Sequence, residues 1–251
     1  MQTSGNTILV TGGGSGIGRG LAEALHALGN TVIIAGRRRT ALEEVTAANP
    51  GMASAVLDIE DPAAIGAFVH GILAAHPGLN VLVNNAGVMR PEDLTAGTID
   101  LADAEATVVT NLLGPIRLTA ALLPHFRSLP HAAVINVSSG LAFVPLARTP
   151  TYSATKAALH SYTVSLREQM KGGPVEVIEI IPPYVQTHLM GEAQASDPLA
   201  MPLQDYLAET LSLLQQSPTP PEICVERVGF LRGAEARGAF NQVLAALNHP
   251  R

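Results

Sequence analysis

One pair of side chains is spaced for proton transfer: Tyr152 and Lys156, in Tyr152-Ser153-Ala154-Thr155-Lys156. Positions four apart in a helix share a face, one turn apart, so the phenol and the ammonium can act together. A neighbouring cation stabilises phenolate, and Lys156 is expected to lower Tyr152 from its ordinary pKa of about 10 into a usable range. Lys156 and Lys171 are the only two lysines in the chain, so a lysine at this spacing carries weight. The plain alternative is a surface Tyr–Lys pair without function. Ser139, thirteen residues before Tyr152 and just past a predicted strand, can share a sheet edge with the phenol. Ser138 competes with it, and strand alternation lets only one of the two face a substrate.

A second group of residues suits a phosphate-bearing ligand. Thr11-Gly12-Gly13-Gly14-Ser15-Gly16-Ile17-Gly18 follows the first apolar run and opens the first helical pattern. Glycines there allow a tight turn and close approach to a pyrophosphate, and the helix N-terminus offers free N–H groups. Gly12, Gly16 and Gly18 keep a Gly-x3-Gly-x-Gly spacing, not the commoner Gly-x-Gly-x-x-Gly. A tight turn without ligand remains the alternative. The second predicted strand ends at Gly36-Arg37-Arg38-Arg39, without the acidic residue that would hold an adenosine 2′-hydroxyl. Arg37 and Arg38 suit a 2′-phosphate, so NADP(H) is expected over NAD(H), which stays as the second option. The alternative is a solvated basic start to the next helix, to which Arg39 fits best. Asn84-Asn85-Ala86-Gly87 follows the fourth predicted strand and reads equally as a ligand edge or a plain turn.

The elements that must position these groups are six apolar runs alternating with helical segments, the pattern of βαβ units around a parallel sheet. Strands are predicted at 8–10, 31–35, 53–57, 81–83, 134–137 and 175–181, each buried on both faces. Helices are predicted at 16–28, 40–48, 61–75 with Asp61 as cap, 101–127 and 152–170. From Pro182-Pro183 onward the pattern turns irregular and proline-rich; 186–221 is expected to form a lid over the substrate, with helices at 205–215, 221–232 and 234–247. The fold class is therefore α/β, a Rossmann-type doubly wound parallel sheet of six strands in one domain spanning 1–251.

Composition bounds the partners. With 251 residues, 47% hydrophobic and 14% charged, the chain can bury a full core. A net charge of −6 opposes binding to a nucleic-acid backbone. Cys224 is the single cysteine, read as a small apolar helix residue, which excludes an internal disulfide. The eight histidines form no metal-ligand spacing, and no metal is expected. The start of the chain leaves no room for a signal peptide and no apolar run reaches spanning length, so a cytoplasmic protein without membrane contact is expected.

Taken in order, the glycine motif, Asp58, Asn84-Asn85-Ala86-Gly87, Asn111, Ser139, Tyr152 and Lys156 resemble the short-chain dehydrogenase/reductase family over residues 8–189. The resemblance is to its compact, NADP-preferring, single-domain branch, and Pro182-Pro183-x-Val185-x-Thr187 is similar to a Pro-Pro-x-Val-x-Thr oxidoreductase subgroup. It implies a catalytic tetrad of Asn111, Ser139, Tyr152 and Lys156. Ser139 would polarise a carbonyl, Tyr152 would donate the proton, Lys156 would bind the nicotinamide ribose and Asn111 would hold a relay water. On its own, Asn111 reads as a residue bonding its local backbone. The resemblance also implies cofactor contacts from Gly12, Ser15, Gly16, Ile17, Gly18, Asp58, Ile59, Asn85, Ala86, Gly87, Pro182, Val185 and Thr187. The family's Pro-Gly after the sixth strand is Pro182-Pro183 here, and its final strand is absent from the sequence pattern. A homodimer through helices 101–127 and 152–170 is implied, with the tetramer in doubt.

Met89, Arg90, Leu141, Phe143, Val144, Tyr184, His188 and Met190 are the candidates to line a substrate pocket. Most are apolar, so the expected substrate is a medium-sized, largely apolar ketone or aldehyde, with Arg90 as a carboxylate contact. The function from another class is a non-catalytic dinucleotide sensor or partner-binding protein on the same fold; retention of both Tyr152 and Lys156 argues against it.

Overall fold

The computed structural model describes residues 1–249. Its strands are β1 (Thr7–Thr11), β2 (Thr31–Gly36), β3 (Ala53–Val56), β4 (Leu79–Asn84), β5 (Ala132–Val137), β6 (Val175–Ile180) and β7 (Glu222–Ile223). They form one sheet in the order β3-β2-β1-β4-β5-β6-β7, with every neighbouring pair parallel. The expectation of six strands is corrected to seven. The two-residue β7 lies where 221–232 was read as helix, and it forms because Ile223 pairs with Ile180 across the chain, a contact no local pattern reveals.

Alternate strand residues enter two cores, as a sheet wound on both faces requires. Ile8, Val10, Val32 and Ile34 pack with Leu21 and Leu25 of α1 (Gly16–Ala27), Leu42 and Val45 of α2 (Arg39–Ala48), and Tyr206 and Leu214 of the later helix Leu203–Leu214. Leu9, Ile33, Leu82 and Val134 face Ile65 and Val69 of α3 (Pro62–Ala75), and the helices between β4 and β6. The edge strand β3 alternates in burial and is not covered on both faces as expected. Asp61 does cap α3, accepting the Ala63 N–H at 2.8 Å.

The predicted helix 101–127 is three pieces: α4 (Ala102–Val108), a π-helical turn (Val109–Leu113) and α5 (Gly114–Phe126). Contrary to the reading that no apolar run reaches spanning length, Ala102–Phe126 is long and apolar enough to cross a membrane. Leu118, Leu122 and Phe126 are wholly buried in the sheet core, however, so this apolarity serves packing. α6 (Pro150–Met170) carries Tyr152 and Lys156. It is keyed to the sheet by a buried polar chain: Asn84 donates to Thr119 Oγ1 and Asn136 Oδ1, and Asn136 donates to Thr163 Oγ1 at 2.9 Å. Unpaired amides there would cost about 1–3 kcal/mol each, so the chain fixes the register of α6 against β4 and β5.

After β6 come α7 (Glu192–Ala195), α8 (Leu203–Leu214), β7, the short α9 (Gly229–Arg232) and α10 (Phe240–Asn248). The predicted helix 234–247 thus starts later, because Gly238 takes a left-handed φ of +65° that a helix cannot continue through.

Candidate active site

The strand order reverses between β1 and β4, so the loops leaving these strands diverge and open a crevice at their carboxyl ends. The β1–α1 loop is closed onto the β4 loop by Thr11. Its hydroxyl donates to Val83 O and accepts from Asn85 N and Ala86 N, while Asn85 Nδ2 returns to Thr11 O at 3.0 Å. A side chain at Gly12, with φ +68°, would sit 2.9 Å from both Ala86 Cα and Asn85 Nδ2; one at Gly18 would collide with Asn85 Nδ2 and the Gly12 carbonyl. Two glycines are therefore demanded by the junction itself. Ser15 begins α1 with no side-chain cap, leaving the first amides of that helix available to an anion.

A cavity of about 1370 Å3 extends from this loop to the segment after β6. Its walls include Gly12, Ser15, Gly16, Ile17, Gly18, Arg38, Asn85, Ala86 and Gly87 at one end. Ser139, Tyr152, Lys156, Pro182, Val185 and Thr187 follow further along. A side pocket of about 200 Å3 adjoins the glycine loop, between Arg37, Arg38, Leu57 and Ile59. Asp58 lines neither space: it is exposed, and its carboxylate accepts the Glu60 N–H at 3.0 Å. The arginines also divide. Arg37 is held by Glu60 at 2.8 Å, whereas Arg38 reaches Ser15 Oγ at 3.4 Å, has no carboxylate partner among the described residues, and faces the cavity. Arg39 lies outside both spaces.

Tyr152 and Lys156 are 7% and 4% exposed, in the first turns of α6. Lys156 Nζ lies 5.6 Å from the Tyr152 ring centre and donates to Val137 O at 2.8 Å. The expectation that Lys156 brings the phenol pKa down is overturned. Burial pushes Tyr152 up to about 12, with Ser139 alone opposing. Burial likewise pushes Lys156 down to about 8, opposed by the Glu179 charge. Loss of hydration is the largest influence on both groups.

The two serines separate as alternation requires. Both border the cavity, but Ser138 Oγ donates to Glu179 Oε1, while Ser139 Oγ accepts the Leu141 N–H at 3.1 Å. Asn111, wholly buried in the π-helical turn, does not line the cavity and does not bond its local backbone. Its side chain grips the β4 loop, accepting from Val88 N and donating to Val88 O, each at 2.8 Å, with Thr155 Oγ1 at 3.4 Å. That amide is committed to the β4 loop through Val88 and to α6 through Thr155.

Of the expected pocket residues, Met89, Arg90, Leu141, Tyr184, His188 and Met190 line the cavity. Phe143 and Val144 do not. Phe143 turns away to stack on His160 at 4.7 Å and under Arg232, and Val144 is wholly buried against Ala234 and Val243. Arg90 is paired with Asp103 at 3.2 Å.

Several positioning residues carried no sequence signal. Glu92 accepts from Thr151 N and Thr151 Oγ1, anchoring the start of α6. Buried Gln194 donates to Val185 O and Thr187 Oγ1 and accepts from Met190 N. Asn248 of α10 accepts from Ala147 N and donates to Pro145 O, and Ala246, Leu247 and Asn248 close the far end of the cavity.

The fold also gathers His160, Glu179 and Glu222, with ligand atoms within 4.8 Å of one another, a grouping that spacing could not show. Arg232 already binds Glu222 through two bonds, and His160 Nδ1 meets Glu179 at 2.8 Å. Cys224 lies in the loop after β7, not in a helix. Burial and the Glu222 charge push its thiol up to about 11, which keeps it protonated at neutral pH.

Residues 6–198 match the short chain dehydrogenase family model. The chain is 39% identical to the uncharacterized oxidoreductase DltE of Bacillus subtilis, over 99% of this chain and 98% of that protein. Its fold is similar to a short-chain dehydrogenase from Streptomyces avermitilis, at TM-score 0.81 and 30% identity over 95% and 96% of the two chains. It is likewise similar to a short chain dehydrogenase from Burkholderia cenocepacia in complex with NADP, at TM-score 0.81 and 27% identity over 97% and 99%. Because the matched span runs through the loops that line the cavity, the sequence, the fold and the site agree: the chain belongs to the short-chain dehydrogenase/reductase family and is an NAD(P)-dependent oxidoreductase.

Proposed function

We propose that this protein is an NADP(H)-dependent carbonyl reductase in which Tyr152 is the proton donor. The observation that carries this reading is the meeting of Ser139, Tyr152 and Lys156 on one wall of a cavity whose other end is the glycine loop with Arg38. The residues present fit the dinucleotide: the Gly12 and Gly18 junction excludes side chains, and the α1 amides and Arg38 are free to take phosphate oxygens. When bound, the nicotinamide supplies or accepts a hydride.

The chain's own residues handle binding, orientation and the proton. Arg38 would take the 2′-phosphate, supported by its lack of a carboxylate partner and by the NADP bound in the Burkholderia cenocepacia relative. Ile59, Ala86 and Gly87 would border the adenosine half, and Pro182, Val185 and Thr187 the nicotinamide half. Ser139 Oγ would donate to the substrate carbonyl oxygen, polarising it. Protonated at neutral pH, the Tyr152 phenol would donate to that oxygen during reduction. Lys156, whose ammonium lies 5.6 Å from the Tyr152 ring centre, would bind the nicotinamide ribose. Asn111 acts as a positioning residue through Val88 and Thr155.

Residues 187–199, the part of 186–221 that borders the cavity, would form the lid of the single domain while α8 packs in the core; the substrate body is largely apolar, and the protein works in the cytoplasm as a homodimer through α4, α5 and α6. Fluorescence titrations with NADPH and NADH, on wild type and Arg38→Ala, test the cofactor assignment. NADPH is expected to bind at least tenfold more tightly, with that preference lost in the variant. Equal or NADH-favoured binding by wild type would refute it.

A further inference from the structure

At the substrate end of the cavity one cation has no acidic partner among the described residues. Arg148 lies exposed in the wall beside Tyr184 and Met190, and among the described residues its one side-chain polar contact is Met190 Sδ at 3.9 Å, a weak acceptor. The other ionisable side chains of that end already have polar partners. Arg90 pairs with Asp103, His188 with Glu192 at 3.4 Å, and Asp197 accepts from Tyr184 Oη at 3.0 Å. Lys156 is buried and tied to Val137 O.

The backbone under Arg148 is held from several sides. Arg148 O accepts from Glu92 N at 2.9 Å. Leu146 N donates to Ser153 Oγ, and Ala147 N to Asn248 Oδ1. Arg148 therefore presents its guanidinium from a fixed base four residues before Tyr152, at the same cavity. A guanidinium without a carboxylate partner among the described residues, beside Tyr184, Leu189 and Met190, is a receptor for a planar oxyanion, which it can grip by two parallel bonds.

Resting on the reading of the protein as a carbonyl reductase, we propose that its substrate carries an oxyanionic group, such as a carboxylate, a few bonds from the reacting carbonyl, and that Arg148 binds it. Asn248 is the positioning residue, holding the Arg148 loop from the end of α10. This replaces Arg90 as the anion contact and adds a charged end to an otherwise apolar substrate.

The test compares ω-oxo carboxylates of three to six carbons with their methyl esters, using NADPH with wild type, Arg148→Met and Arg148→Lys. Wild type is expected to prefer one acid over its ester about tenfold or more in kcat/KM. Arg148→Met should raise KM for that acid about tenfold with kcat little changed and leave the ester unaffected, with Arg148→Lys in between. Equal treatment of acid and ester by wild type, or an unchanged preference in Arg148→Met, overturns the proposal. A second arm measures calorimetrically the binding of the corresponding unreactive alkanoates to NADP-loaded protein. Binding by wild type that is lost in Arg148→Met supports the oxyanion site even if no carbonyl in the series turns over, a result that would count only against the reductase reading. Binding by neither protein, or equally by both, overturns the site.

Discussion

Substituting Gly18 by alanine probes the junction on which dinucleotide binding depends. The new Cβ would enter contact with two groups, the Asn85 amide nitrogen and the Gly12 carbonyl, with the Gly12 carbonyl carbon only 2.9 Å away. Neither yields freely. Gly12 is tied by its own N–H to Ala35 O at 2.7 Å, and Asn85 Nδ2 is the donor to Thr11 O. Displacing Asn85 forfeits a hydrogen bond of about 1 kcal/mol, and overpacking of α1 against β1 adds about 1–2 kcal/mol. The sum, about 2–3 kcal/mol, corresponds to a fall in Tm of roughly 4–12 °C for a chain of this size. Because the same shift moves the first turn of α1, NADPH affinity should fall at least tenfold. Gly66→Ala in α3 is the control: its Cβ meets nothing within 4 Å and should stabilise by about 0.5–1 kcal/mol without touching affinity. Differential scanning fluorimetry and NADPH titration on the three proteins suffice. A Gly18→Ala protein with wild-type Tm and affinity would refute the reasoning.

Two further outcomes follow from buried groups. Lys156 sits near 8 in the folded protein against an ordinary value of 10.5, so the unfolded chain holds that proton more tightly and stability must rise with pH between those values. Urea unfolding of the apoprotein should show the wild type gaining about 2 kcal/mol relative to Lys156→Met between pH 7.5 and 9.5; parallel curves would contradict the burial cost. Gln194→Ala removes the amide that ties Val185, Thr187 and Met190 together. It should lower stability by about 1–3 kcal/mol and weaken NADPH binding severalfold, and unchanged affinity would remove Thr187 from the cofactor site.

How far the sequence could be read depended on the range of the interaction. Gly12 to Gly18 and the Tyr152/Lys156 pair are local signals, because a β-to-α turn and an i,i+4 helix face leave their marks within a few residues. Strand 222–223 left none, since two residues become a strand only through Ile180. The π-helical turn at Val109–Leu113 keeps the apolar composition of its flanks, so periodicity runs through it. Phe143 looked like a pocket residue by its distance from Ser139, but the 3-10 turn Gly140–Ala142 swings it to the His160 side. The direction of the Tyr152 shift was misjudged because pairing is visible in sequence and burial is not. Arg148 and Asn248 leave no mark in the local sequence, since about a hundred residues separate the Asn248 amide from the loop it holds.

The central claim is that Tyr152 gives the proton in an NADPH-dependent reduction, and Tyr152→Phe tests it most directly. Single-turnover oxidation of bound NADPH by a carbonyl substrate should slow by about 100-fold or more in the variant, while NADPH affinity stays within about twofold of wild type. A variant that binds NADPH normally and reduces the same carbonyl at the wild-type rate would contradict the account.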